Sequence, residues 1–178
     1  MSEQAEGVGD LAIVLHSHMP YVEGFGTYPF GEEWLFDAIV RSYLPVLDIA
    51  RDLTVTVTPV LADQLEAEGV PERLEKFLRE YRVGSARVDI ETAEPDYVPA
   101  AAAEHVRYLR AAELLSAHGG DPLAAFREAS GSGRVCLATS SATHAVLPLL
   151  ATKKGLDLQI ATGMESHQRR FGRTGGFW

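Results

Sequence analysis

The stretch LAIVLHSHMPY, residues 11–21, joins a continuous apolar run to a closely spaced pair of histidines. Leu11 to Leu15 is too short for a helix, and its branched residues suit a strand buried on both faces. His16 and His18 lie two positions apart where that strand ends. Side chains alternate along a strand, so both can point into the same pocket. The following loop, residues 16–30, is rich in Gly, Pro, Tyr and His.

Outward from this stretch the pattern repeats. Leu35, Ala38, Ile39, Ser42, Tyr43 and Val46 recur at helical spacing, and Pro45 is expected to kink or split that helix. Leu53–Thr58 (LTVTVT) alternates Val and Thr and reads as a second strand, ended by Pro59. Pro71 is placed to open a helix whose stripe is Leu74, Phe77, Leu78 and Tyr81. Residues 84–99 are acidic, carry two prolines and show no clean pattern. Residues 100–118 read as a helix stopped by Gly119-Gly120. Asp121-Pro122 supplies a cap and a first-turn proline for a short helix to Ala129, and Ser130–Gly133 reads as a loop. Val135–Ser140 (VCLATS) reads as a third strand. Ala142–Leu150 and Leu156–Phe171 read as helices, with Ile160, Met164, His167 and Phe171 sharing a face of the second. Phe177-Trp178 is placed to begin a fourth strand, and residues 1–10 read as a flexible lead-in.

This alternation of apolar runs and helical segments predicts an α/β fold with parallel strands and helical crossovers. It suits a (β/α) barrel with a helical insertion after strand two. Barrel enzymes place their sites at the C-terminal ends of the strands. That rule draws His16, His18 and His144 to one end. Each histidine alone also fits a hydrogen-bonded structural role, and a His-x-His pair with a third histidine also fits zinc. No carboxylate stands beside them to complete a metal set, so no metal is expected. Trp34 offers a flat apolar face of the kind that stacks on a sugar ring, or else starts the apolar face of its helix. Tyr21, Phe25, Tyr28 and Phe30 either line a saccharide site or pack beneath the loop.

Bulk properties exclude several functions. The 178 residues carry a formal net charge of -9, which disfavours nucleic acid and anionic membrane surfaces and leaves a neutral sugar open. The single cysteine, Cys136, permits no internal disulfide and fits a reducing, cytoplasmic setting. The N-terminus MSEQAEGVGD has no basic or apolar signal region. No run approaches the roughly 18 apolar residues that span a bilayer.

Several separated segments carry a resemblance. His16–Tyr21 with Tyr28–Leu35 (YPFGEEWL), Leu53–Leu65 (LTVTVTPVLADQL), Thr139–Leu150 (TSSATHAVLPLL) and Glu165–Trp178 (ESHQRRFGRTGGFW) resemble, in order, motifs of glycoside hydrolase family 57, most closely its 1,4-α-glucan branching enzymes. The likeness is weakest over residues 84–132. It implies that residues 11–178 are the N-terminal portion of a (β/α)7 incomplete TIM-like barrel. It also implies a retaining mechanism with two carboxyl groups, one attacking the anomeric carbon and the other serving as acid and then base. By this resemblance His16, Trp34 and His144 are substrate-binding residues for an α-1,4-glucan such as amylose or a glycogen-like chain, and His18 joins them as a substrate-binding candidate on its spacing from His16. No cofactor is implied.

Two departures qualify what the resemblance implies. The family's nucleophilic glutamate falls beyond Trp178 and its acid/base aspartate further still, so no catalytic residue is assigned here. Aligning on the Thr139–His144 segment, Cys136 stands where the family often has a glutamate, and a thiol cannot accept sugar hydroxyls as a carboxylate does. As a strand residue it is expected to be small and buried. The expectation is an inactive, incomplete α-glucan enzyme, prone to self-association through its open edges. The alternatives are a non-catalytic glucan-binding protein and a metal-dependent hydrolase.

Overall fold

A computed structural model describes residues 9–27, 29–172 and 176 of the chain. Strands β1 (Val14–Ser17), β2 (Leu53–Val57) and β3 (Val135–Ala138) form one parallel sheet in the order β1-β2-β3. His16 lies opposite Thr56, and Thr56 opposite Ala138. The alternation in β2 divides the sheet. Val55 and Val57 join the core with Leu137, while Thr54 and Thr56 share the other face with His16 and Cys136.

Three expectations about the strands are corrected. β1 begins three residues later than the apolar run, because pairing with β2 starts there; Thr54 N–H donates to the Ile13 carbonyl at 3.0 Å. Leu11, Ile13 and Leu15 are exposed rather than buried, since β1 is an edge strand among the described residues. Cys136 is also exposed rather than buried. It lies on the face that the helices leave uncovered, whereas its neighbours Val135 and Leu137 enter the core.

Helical segments between β1 and β2 cover the other face. α1 (Glu32–Ala38), a π-helical stretch (Ile39–Tyr43) and α2 (Leu44–Ile49) run on without interruption. Leu35, Phe36, Ile39, Val40, Leu44 and Leu47 are buried along it. Pro45 neither splits nor ends this run. A proline cannot donate to the carbonyl four residues back, and the wider π turn just before it accommodates the missing bond.

Between β2 and β3 the chain is helical: α3 (Pro59–Leu65), α4 (Val70–Lys76), a π-helical stretch (Phe77–Val83), α5 (Gly84–Thr92), α6 (Val98–Ala117) and α7 (Pro122–Gly131). The opaque segment 84–99 is mostly the continuation of α4 through the π stretch, followed by a turn into α6. Pro99 sits in the first turn of α6, where its missing N–H costs nothing. α7 runs two residues past Ala129 into the expected loop. Phe77 packs on Phe36 with ring centroids 5.5 Å apart, tying this helical layer to α1.

After β3, the segment Ala142–Leu150 is not a helix. It is a loop with a short 3-10 turn, Leu147–Leu149. His144 has φ 58, the left-handed region that interrupts a right-handed helix, and Pro148 removes another donor. α8 (Lys153–Phe171) starts three residues earlier than expected, capped by the Thr152 hydroxyl, which accepts from Gly155 N–H at 3.1 Å. Its inward residues are Gly163, His167 and Arg170, while Met164 is half-exposed. The helix can approach the end of β3 at Gly163 because glycine has no side chain to meet the Ser140 carbonyl. Past α8, the Thr139 N–H donates to the Gly176 carbonyl at 3.0 Å. The expected strand start at Phe177-Trp178, and most of the lead-in at residues 1–8, lie outside the described residues.

Candidate functional site

The three sequence-predicted histidines meet at the C-terminal end of the sheet. His16 is the penultimate residue of β1, His18 lies just past its end, and His144 sits on the loop after β3. His16 Nε2 and His144 Nε2 are 2.9 Å apart. The His18 and His144 rings stack at 3.9 Å between centroids, inclined by 14°. His16 and His18 are 6.1 Å apart. The first two thus project from one face, as their spacing predicts.

The His16 and His18 rings are held from behind. His16 Nδ1 lies 2.6 Å from Thr56 Oγ1, and His18 Nδ1 lies 3.1 Å from Thr58 Oγ1. Both threonines are fully buried. The alternation that makes β2 a strand also puts these hydroxyls on the histidine face. Burial first, and then neighbouring His144, keep His16 below the ordinary histidine pKa. Burial with His144 and His16 beside it brings His18 down to about 4. At neutral pH these two rings are therefore uncharged.

The supports include residues that sequence reading missed. Gln64 is buried and clamps the loop after β1. Its side-chain N–H groups donate to the carbonyls of Met19, Pro20 and Val60 at 3.1–3.2 Å, and its Oε1 accepts from Val22 N–H at 2.7 Å. Tyr43 donates to the His18 carbonyl at 2.9 Å, and burial pushes its hydroxyl up to about 12. Gln159 of α8 holds the His144 loop. Its backbone carbonyl accepts from Ala142 N–H at 3.1 Å and its side chain from Thr143 N–H at 3.0 Å. The signal was present in part: buried glutamines and threonines near strand ends are expected to be hydrogen-bonded. Beside this loop is a groove of about 330 Å³ lined by Asp63, Thr143, Thr162, Glu165, Ser166 and Arg169, among others.

Trp34 is 57% exposed in the first turn of α1, while the next two residues, Leu35 and Phe36, are buried. It therefore does not start the core-facing stripe. Tyr21, Phe25 and Phe30 are also exposed rather than packed under the loop, and Tyr28 lies outside the described residues.

The first-loop carboxylates are already engaged. Glu32 is buried and pairs with Arg73 at 2.5 and 2.8 Å, and also accepts from Thr27 Oγ1. Glu33 and Asp37 both bind Arg82. Glu23 accepts from the Tyr21 hydroxyl at 2.6 Å. Among the described residues, no group of three or more His, Cys, Asp and Glu side chains is arranged to hold a metal ion. No helix among them is long and apolar enough to cross a membrane.

Parallel strands, helical crossovers and polar side chains gathered at the strand ends define an α/β chain with its site where such folds place theirs. The family model for glycosyl hydrolase family 57 matches residues 12–178. A 1,4-alpha-glucan branching enzyme of Thermococcus kodakarensis is 35% identical over 181 aligned positions, covering 96% of this chain and 26% of that enzyme. The crystal structure of that enzyme in complex with glucose superposes with a TM-score of 0.84 over 94% of this chain and 32% of its own. The branching enzyme of Pyrococcus horikoshii matches at 33% identity and TM-score 0.84, over 94% of this chain and 33% of its own. The alpha-amylase AmyC of Thermotoga maritima matches at 26% identity and TM-score 0.84, over 94% of this chain and 34% of its own. The chain belongs to glycosyl hydrolase family 57. It spans about a quarter of the length of the Thermococcus enzyme.

Proposed function

We propose that these residues form the first part of the catalytic barrel of an α-1,4-glucan-active enzyme working by retaining glycosyl transfer, with branching as the reaction. In this reading the sheet is the opening portion of the family's (β/α)7 barrel, and residues 59–131 are a helical insertion after its second strand. His16, His18 and His144 hold sugar hydroxyls, and the exposed face of Trp34 stacks on a sugar ring. The observation that carries the reading is the convergence of the three histidines at the strand ends of a family 57 fold.

The role of these residues is positioning. Neutral imidazoles hydrogen-bond to sugar hydroxyls, and orienting a bound sugar lowers the entropic part of a barrier. A retaining mechanism needs two carboxyl groups about 5–5.5 Å apart across the scissile bond. Glu32 and Glu33 are tied to arginines, and Glu23 is bonded to Tyr21. None is free to attack an anomeric carbon. In this reading the first-loop carboxylates are structural, and these residues contribute glucan binding rather than bond cleavage.

Iodine staining and reducing-end release on amylose test this, with Trp34→Ala as a binding control. No turnover above the blank is expected. Turnover abolished by substituting Glu23, Glu32 or Glu33 would refute the assignment. The localisation consistent with this role is cytoplasmic, alongside glycogen-like substrate.

A further inference from the structure

The hydroxyls of Thr56 and Thr58 impose a direction on the hydrogen bonds at the histidine cluster. Both threonines are fully buried. Among the described residues, the Thr56 hydroxyl has a single hydrogen-bond partner, His16 Nδ1 at 2.6 Å. The Thr58 hydroxyl has two, Leu61 N–H and His18 Nδ1. A buried hydroxyl hydrogen without an acceptor is costly, so each hydroxyl must donate to something. Leu61 N–H cannot accept. That leaves the Nδ1 atoms as the acceptors at both positions.

We infer that Thr56 and Thr58 are positioning residues that fix His16 and His18 as Nε2–H tautomers, so that the cluster meets its ligand with hydrogen-bond donors alone. The consequence for His144 follows from the 2.9 Å separation of the two Nε2 atoms. With His16 donating from Nε2, His144 must accept at Nε2, and its proton then sits on Nδ1. Among the described residues two groups of the cluster remain uncommitted, His18 Nε2–H and His144 Nδ1–H, and both are donors. Such a surface selects a ligand oxygen acting as acceptor, such as a sugar hydroxyl or ring oxygen, over one that must donate. The identity of that ligand rests on the proposed glucan function, whereas the tautomer assignment does not.

The test is long-range proton–nitrogen NMR of the 178-residue protein, read through the ring C–H protons above the ordinary histidine pKa of about 6.5. His16 and His18 are expected to show protonated Nε2 and unprotonated Nδ1, and His144 the reverse. Thr56→Val should release His16 into a mixture of tautomers, Thr58→Val should do the same to His18, and Thr58→Ser should retain the wild-type pattern. If Thr58→Val fails to fold because α3 loses its cap, Thr56→Val and the wild-type spectrum still decide. Protonated Nδ1 at His16 or His18 in the wild type, or unchanged tautomers in the valine variants, would overturn the assignment. Adding maltoheptaose should shift the His18 and His144 resonances. No shift, with the tautomers as assigned, would overturn the glucan ligand and leave the tautomers standing.

Discussion

His16 Nε2 lies 2.9 Å from His144 Nε2, although 128 positions separate them in the chain. The contact exists because two structures converge. β1 is aligned with β2 in parallel register, and the loop after β3 is turned back by His144 in a left-handed conformation. Any change that moves that loop should therefore be felt at the histidine cluster.

Gly163→Ala is the sharpest such change. A methyl group there would meet the Ser140 carbonyl, which backbone on both sides holds in place. Overpacking of this kind costs about 1–3 kcal/mol. Urea denaturation should show a lower midpoint with an unchanged slope. An unchanged midpoint would mean that α8 does not seat on the end of β3 as described.

Gln64→Leu keeps most of the volume and removes a donor and an acceptor. It would strand the buried Val22 N–H and the carbonyls of Met19 and Pro20. Leaving buried groups unsatisfied costs about 1–3 kcal/mol. The loop after β1 should also become more susceptible to limited proteolysis. Wild-type stability and an unchanged cleavage pattern would contradict the clamp.

The pH dependence has a definite sign. His16, His18 and His167 all sit below the ordinary histidine pKa of about 6.5 when folded, each mainly through burial. Between that value and about 4, the unfolded chain binds more protons than the folded one at His18. Stability therefore rises with pH across this window and is lost on acidification. Thermal unfolding should show Tm falling as pH drops from 7 toward 4.5. His18→Gln should flatten the profile. A Tm that rises on acidification would contradict neutral, partly buried histidines.

Glu32→Gln distinguishes a structural carboxylate from a catalytic one. Glu32 is buried against Arg73 and anchors α1 to α4. Losing a charge-assisted pair of this kind costs about 1.5–3 kcal/mol. The stability loss should come with unchanged maltooligosaccharide affinity. A stable protein with lost affinity would place Glu32 at the sugar instead.

Much of this arrangement is legible in the sequence. The Val/Thr alternation of Leu53–Thr58 and the apolar run before His16 marked strands, and strand-end placement brought the three histidines together. What was not legible has common physical causes. Ala142–Leu150 has helix-forming residues, but the turn at His144 and Pro148 outweighs their weak propensity. The π stretches before Pro45 and within 77–83 are local adjustments with no periodicity signal of their own. Leu11, Ile13 and Leu15 are exposed because β1 is an edge strand among the described residues. Gln64 and Gln159 serve partners that are distant in sequence, so nothing local announced them.

The proposed function rests on α-glucan binding by the histidine cluster. Calorimetric titration of maltoheptaose into the wild type and into the His16→Ala/His144→Ala variant tests it most directly. Weak but measurable binding to the wild type is expected, with affinity at least about tenfold lower in the variant, a loss of about 1.4 kcal/mol. Equal affinity in the two proteins, or no binding to a folded wild type, would contradict it.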